Sequence, residues 1–208
     1  MSNQATSSDL SYLRDLAESG HKAPLLGGRF LTWWGGLTSL AYAAHYAIAS
    51  GLVGSGGAAF GWLWTGYMII GISGQVVLSR TFPMSRPGAS SMGNRAERVV
   101  WQAAGFALFG FFVTLIVKSL VTGVASPGFA YSLALVFVVY GVSLVTTGTL
   151  GESTILKRAG IGALGLVPVA AWFAGTAGSW LIAAIGAALC VFLPGVLLLK
   201  NEPKDVAE

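Results

Sequence analysis

The chain has 208 residues, of which 54% are hydrophobic and only 10% charged, with a net charge of +4 and a mean hydropathy of +0.72. Charged residues make up about a quarter of an ordinary soluble domain, so a surface surrounded by water is excluded. The basic excess is not a nucleic-acid footprint, because the cations stand at the ends of long charge-free runs, where they set membrane topology. The only cysteine, Cys190, lies inside such a run and allows neither an intramolecular disulfide nor a thiol metal cluster.

Residues 1–28 form the longest polar stretch. The first apolar run is too long for a cleavable signal core, so the first span is expected to serve as its own insertion signal. Within the arm, Ser8 is placed to cap a short helix over residues 9–19, closed by Gly20. Leu10, Leu13, Leu16 and Ala17 make a modest apolar stripe, while Asp9, Arg14, Asp15 and Glu18 sum to −2. Anionic lipid repels such a helix. The arm is expected either to fold back on the basic loop 80–98, whose charges sum to +3, or to dock on a partner. Leu10, Leu13, Asp15 and Glu18 are the candidate contact residues.

Six charge-free segments follow, at residues 30–50, 58–79, 99–117, 129–150, 159–175 and 180–199. A bilayer core about 30 Å thick needs roughly 20 apolar residues per helix. The fifth segment is short and contains Pro168, which makes a re-entrant hairpin the alternative there. Charge decides between five spans and six. With six, Arg14, Lys22, Arg29, Arg80, Arg86, Arg95, Arg98, Lys157, Arg158, Lys200 and Lys204 share one side, and only Lys118 lies on the other. With five, Lys200 and Lys204 would cross over. Basic loops stay inside, so both termini are expected in the cytoplasm, and the absence of a targeting segment points to a bacterial-type cytoplasmic (inner) membrane.

The expected architecture is an all-α integral membrane protein of six transmembrane helices arranged as three hairpins. Arg29, Arg98 and Arg158 precede the three hairpins, a spacing that either a true repeat or insertion rules alone produce. The arm (1–28), the bundle (29–200) and a short tail (201–208) are the three regions. Asn94-Arg-Ala-Glu97 fits a capping pattern, so the third helix is expected to begin inside the basic loop. Trp33, Trp34 and Trp101 fall near one boundary, and Trp62, Trp64 and Trp180 near the other, as interfacial indoles do.

The first helix carries the most suggestive stripe: Trp34, Thr38, Tyr42 and His45 share one face. Histidine inside a membrane is a functional hypothesis by default, and Tyr42, His45, Tyr46, Trp62, Trp64 and Tyr67 are candidate walls of an outward cavity between the first two helices. A bis-histidine haem is ruled out because His21 falls on the opposite side, and no cofactor is expected. Gln75 and Gln102 fall at similar depth on adjacent helices and are the candidate interhelical polar pair. Gly160-Ile-Gly162-Ala-Leu-Gly165 has the spacing of a dinucleotide fingerprint but lacks the strand that fingerprint requires. Close helix approach explains it, as it explains Gly57-x-x-x-Gly61 and Ala183-x-x-x-Ala187.

No acidic or basic residue falls deep in any span, which weighs against pumps and proton-coupled carriers. No nucleophile triad or zinc-spaced motif is present, so neither a catalytic residue nor a metal is expected. Two readings remain. The first is a non-catalytic regulatory or accessory subunit that meets a membrane partner, or another copy of itself, through Gly/Ala-rich helix faces and the acidic arm. The second is a small transporter or binder of an uncharged or hydrophobic molecule, using the aromatic cavity around His45.

Overall fold

The computed structural model describes residues 24–54, 56–81 and 89–202. Among the described residues the chain is all-helical, with no strand. Six helices follow in order: α1 (Gly28–Ala49), α2 (Ala58–Thr81), α3 (Met92–Thr122), α4 (Ser132–Leu150), α5 (Thr154–Trp172) and α6 (Ala177–Lys200). A 3-10 turn, Pro127–Tyr131, leads into α4. The arm residues Leu10, Leu13, Asp15 and Glu18 lie outside the described residues.

Five of these helices, all but α1, are long and apolar enough to cross a membrane. At 22 residues, α1 reaches about 33 Å, so length is not its shortfall. It dilutes its aliphatic residues with Trp33, Trp34, Tyr42, His45 and Tyr46, side chains with an apolar body and a polar tip.

The third and fifth helices differ most from expectation. α3 has 31 residues, about 46 Å, so several turns project beyond a 30 Å core. Its cap is Ser91, whose side chain accepts the Asn94 backbone N–H, rather than Asn94 itself. α5 starts earlier than expected because Ser153 caps it by accepting the Leu156 N–H, and Pro168 lies inside a helix that continues to Trp172. The interruption occurs instead in α6, where a π-helical stretch, Ala188–Phe192, precedes Pro194. A π turn beside proline absorbs the missing N–H and the ring clash.

The packing does not divide simply into three hairpins. Sequential pairs α1–α2, α3–α4 and α5–α6 do touch, but the most extensive interfaces join α4 to α5 and the first helix to the last. Both rest on glycine. A Cβ on Gly160 would meet the Val145 backbone N at 2.7 Å, and one on Gly148 would meet the Lys157 N at 2.7 Å. Between α1 and α6, Gly28 faces the Leu199 N at 2.9 Å, Gly35 faces the Phe192 backbone, and Gly195 faces Thr32. Backbone-to-backbone approach replaces side-chain interdigitation, as is usual where lipid supplies no hydrophobic drive. Ala183 and Ala187, both fully buried, do the same work further along α6.

The resulting core is built from α1, α4, α5 and α6 around Phe137, Leu144, Leu156 and Val191. α2 and α3 stand outside it, α2 packed on α1 and α3 on α4. Only 6% of the apolar window of α2 and 11% of that of α3 is buried, against 50% for α6. That contrast bears directly on function.

Candidate functional site

Two side-chain clusters stand out, one at each end of the bundle. The stripe on α1 meets α2 along its length, and at the end away from the arginines Trp180 of α6 joins it. The Trp33 indole N–H donates to the Gly71 carbonyl at 3.2 Å, and the Trp34 indole to Gln75 Oε1 at 2.8 Å. The Thr38 and Tyr67 hydroxyls share a 2.9 Å bond, and the Trp64 indole donates to His45 Nδ1 at 3.1 Å. Gly71 and Gly74 lie directly under the Trp34 and Trp33 rings, where a Cβ would collide. Each such interhelical bond is worth about 0.6 kcal/mol in a bilayer, and together they fix the register of α2 on α1.

The aromatic residues around His45 pack on one another. Trp180 stacks on the imidazole at 3.5 Å with planes 17° apart, and Phe60 lies at 4.5 Å. Trp64 touches Tyr42, Tyr67 and Trp180 with ring centroids 5.4–6.0 Å apart. Of the residues expected to line a cavity, Tyr42, His45, Trp64 and Tyr67 therefore come together. Trp62 does not join them and is 77% exposed. Tyr46 is half-buried and makes none of these ring contacts. Phe60 and Trp180 complete the cluster; the sequence placed Trp180 at this boundary but not against His45, and passed over Phe60, because ring neighbours on other helices leave no periodic trace.

The bond from Trp64 fixes Nδ1 as an acceptor, so the neutral ring carries its proton on Nε2. Trp64→Phe keeps an aromatic ring and removes the donor. It is expected to cost about 1 kcal/mol, read as a small drop in thermal midpoint of the reconstituted protein. His45→Phe should cost about the same, since it removes the other half of the same bond.

Gln75 and Gln102 do not meet. Gln75 is taken by Trp34 and by Ser79, and Gln102 is exposed on α3. Equal depth did not make them neighbours because α2 and α3 pack on different helices.

The basic end holds the second cluster, which sequence reasoning passed over. Residues 24–29 run across this end as a strap. Asn94 Oδ1 accepts the Leu26 backbone N–H at 2.8 Å, and Asn94 Nδ2 donates to the Pro24 carbonyl at 2.9 Å. Leu25 and Leu26 are buried, with Leu25 set against Gly93 and Gly151. The Glu97 carboxyl lies directly on Gly27, whose backbone N–H it accepts. Glu97 is 5% exposed, and its Oε1 has no hydrogen-bond partner. One turn further on, the buried indole N–H of Trp101 is also unsatisfied. Glu202, 7% exposed, approaches Arg29 Nε at 3.6 Å.

Glu97 belongs to the part of α3 that precedes the apolar run of residues 99–117. Burial pushes its carboxyl up to about 7, with the Gly27 N–H opposing and the Glu202 charge adding to the rise. In the sequence this residue reads as one more charge in a topological loop. The capping pattern it ends was the available signal, pointing to a helix start but not to burial. Among the described residues no three His, Cys, Asp or Glu side chains gather as a metal-holding group.

No protein-family model, curated protein or solved structure matches this chain. The class is therefore defined by the fold itself: five helices long and apolar enough to span make this a multi-pass membrane protein.

Proposed function

We propose that this protein is a non-catalytic regulatory or accessory subunit that associates with a membrane partner, or with a second copy of itself, through the outer faces of α2 and α3. One observation carries the reading. Gly28 and Gly35 on α1, Gly148 on α4, Gly160 on α5 and Gly195 on α6 are used for close backbone approach, whereas Gly57, Gly61 and Gly66 on the α2 side and Gly105 and Gly110 on α3 have nothing within 4 Å of a Cβ position, as is true of Gly165 alone among the glycines of the other helices. Glycine inside a helix costs roughly 1 kcal/mol relative to alanine. Gly71 and Gly74 on α2 and Gly93 on α3 are filled by neighbours within the monomer, but at Gly61, Gly66, Gly105 and Gly110 nothing offsets that cost. A helix seated against them would, as small residues do at membrane interfaces.

In this reading α1 spans as well, giving six crossings in a bacterial-type cytoplasmic membrane with both termini inside. The distribution of lysine and arginine supports that orientation. The acidic arm, with Leu10, Leu13, Asp15 and Glu18, is then a cytoplasmic contact for the basic loop or for the partner. What weighs against the carrier alternative is that His45 is flanked by Trp180 and Phe60 and bonded by Trp64.

The test is native mass spectrometry of tagged protein extracted gently from its own membranes, comparing wild type with Gly61→Leu/Gly105→Leu. The expected result is a stoichiometric second chain or second copy that the double variant loses while keeping its own thermal stability. A bare wild-type monomer, or association indifferent to both substitutions, would sink the proposal. A monomer retaining a small molecule would revive the carrier.

A further inference from the structure

We propose that Glu97 is a proton-binding site that latches the strap of residues 24–29 onto the basic end of the bundle, docked when the carboxyl is protonated and released when it ionises.

The geometry leads there in three steps. First, a carboxylate taken out of water needs several donors or a cation to remain charged. Glu97 has the Gly27 N–H on one side, an oxygen without any partner on the other, and 5% exposure. Second, among the described residues the charge that acts on it is that of Glu202, another buried carboxyl, which opposes ionisation. The nearby guanidinium, Arg29, lies against Glu202 at 3.6 Å. Among the described residues, the remaining charged groups of the elements meeting here, Arg95 and Arg98 on α3, Lys200 on α6 and Glu152 after α4, are exposed to solvent. Third, the carboxyl lies on the strap itself. It occupies the space a Cβ on Gly27 would need, so the group that changes charge is the group the strap sits on.

A protonated carboxyl removes the first two costs, because it carries no charge to be solvated or repelled and still accepts the Gly27 N–H. The sign of the pH dependence follows. The docked carboxyl holds its proton up to about 7, whereas a freely hydrated one does so only to about 4.5. The docked state therefore binds more protons between those values, and its stability falls as pH rises through that window, reaching its floor above it. The other half of the strap's attachment, through Asn94, does not titrate.

Hydrogen–deuterium exchange on the full-length protein in phosphatidylcholine nanodiscs, corrected for the intrinsic chemical rate, reads the latch directly in peptides covering residues 24–31. Protection there should fall at least about tenfold between roughly pH 5.5 and pH 8 in the wild type, while residues 141–160 stay unchanged. Glu97→Gln should hold the acidic level of protection at both pH values. Should that variant fold poorly, Glu202→Gln is the second test: removing the opposing charge should recover about threefold or more of the protection lost at pH 8. Wild-type protection that ignores pH overturns the proposal, as does a loss shared with residues 141–160 or a Glu97→Gln that tracks the wild type. So does protection at pH 8 that responds to exchanging sodium for choline, which would make the site one for a metal cation.

Discussion

Gly195→Leu is expected to cost more than any other single change in the bundle, about 3 kcal/mol or more. A Cβ at position 195 meets Thr32 and lies 2.8 Å from the Leu31 carbonyl carbon. These are backbone atoms, which cannot rotate aside, so α1 and α6 must part. The loss then spreads. α2 is held through the Trp33, Trp34, Thr38 and Trp64 hydrogen bonds to α1, and α1 itself is seated by the Ser39 hydroxyl, which donates to the Ala184 carbonyl at 2.7 Å. Thermal or denaturant unfolding of the reconstituted protein checks this. Even Gly195→Ala should be clearly destabilising, whereas Gly61→Ala, with open space at its Cβ, should be neutral or gain up to about 1 kcal/mol of helix propensity. Equal effects at the two sites would mean that the close approach of α1 to α6 contributes nothing.

The second large effect is expected at Asn94. Its side chain satisfies the Leu26 N–H and the Pro24 carbonyl and also donates to Ser91 Oγ at 3.0 Å. Asn94→Ala strands a buried donor and acceptor on the strap at about 2–3 kcal/mol in total. The damage should be local. Leu25 and Leu26 lift away while the α4–α5 pair holds, so protease cleavage should appear near residues 24–29 at a temperature where the wild type resists. Asn94→Asp keeps the acceptor for Leu26, loses the donor to Pro24 and adds a negative charge one turn from Glu97. Its defect should be smaller than that of Asn94→Ala at low pH and grow as pH rises.

Much of the element layout was legible because bilayer thickness translates directly into run length. Segments 58–79 and 180–199 fall within the helices Ala58–Thr81 and Ala177–Lys200. The α1 stripe was also legible: Trp34, Thr38, Tyr42 and His45 do face a single side. Its purpose was not, because spacing reveals which residues share a face and never what fills the other side. Partner choice was the larger gap. In water an apolar stripe marks the buried face of a helix, but in a bilayer both faces are apolar, and the information moves to single glycines whose partners lie far away in sequence. Gly35 opposite Phe192 leaves no local trace. The Gln75–Gln102 pairing failed for this reason, since depth is readable and adjacency is not.

Glu97 was misjudged for a different reason. A charge within a basic loop reads as solvated, and only the length of α3, set by its Ser91 cap, brings that turn beneath the strap. α1 alone falls short of the apolarity of a span for a reason the fold supplies: its polar-tipped side chains are spent on α2 and α6.

The seam between α1 and α6 also orders the history of the molecule. α1 emerges well before its partner: the surface that Gly28 and Gly35 are shaped for arrives only with residues 192–199, much later in the chain. α4 and α5, adjacent in sequence and joined by a tight turn, can assemble as soon as they emerge. α1 must hold its place against α2 and α4 until α6 emerges, and α6 closes this seam as a keystone closes an arch.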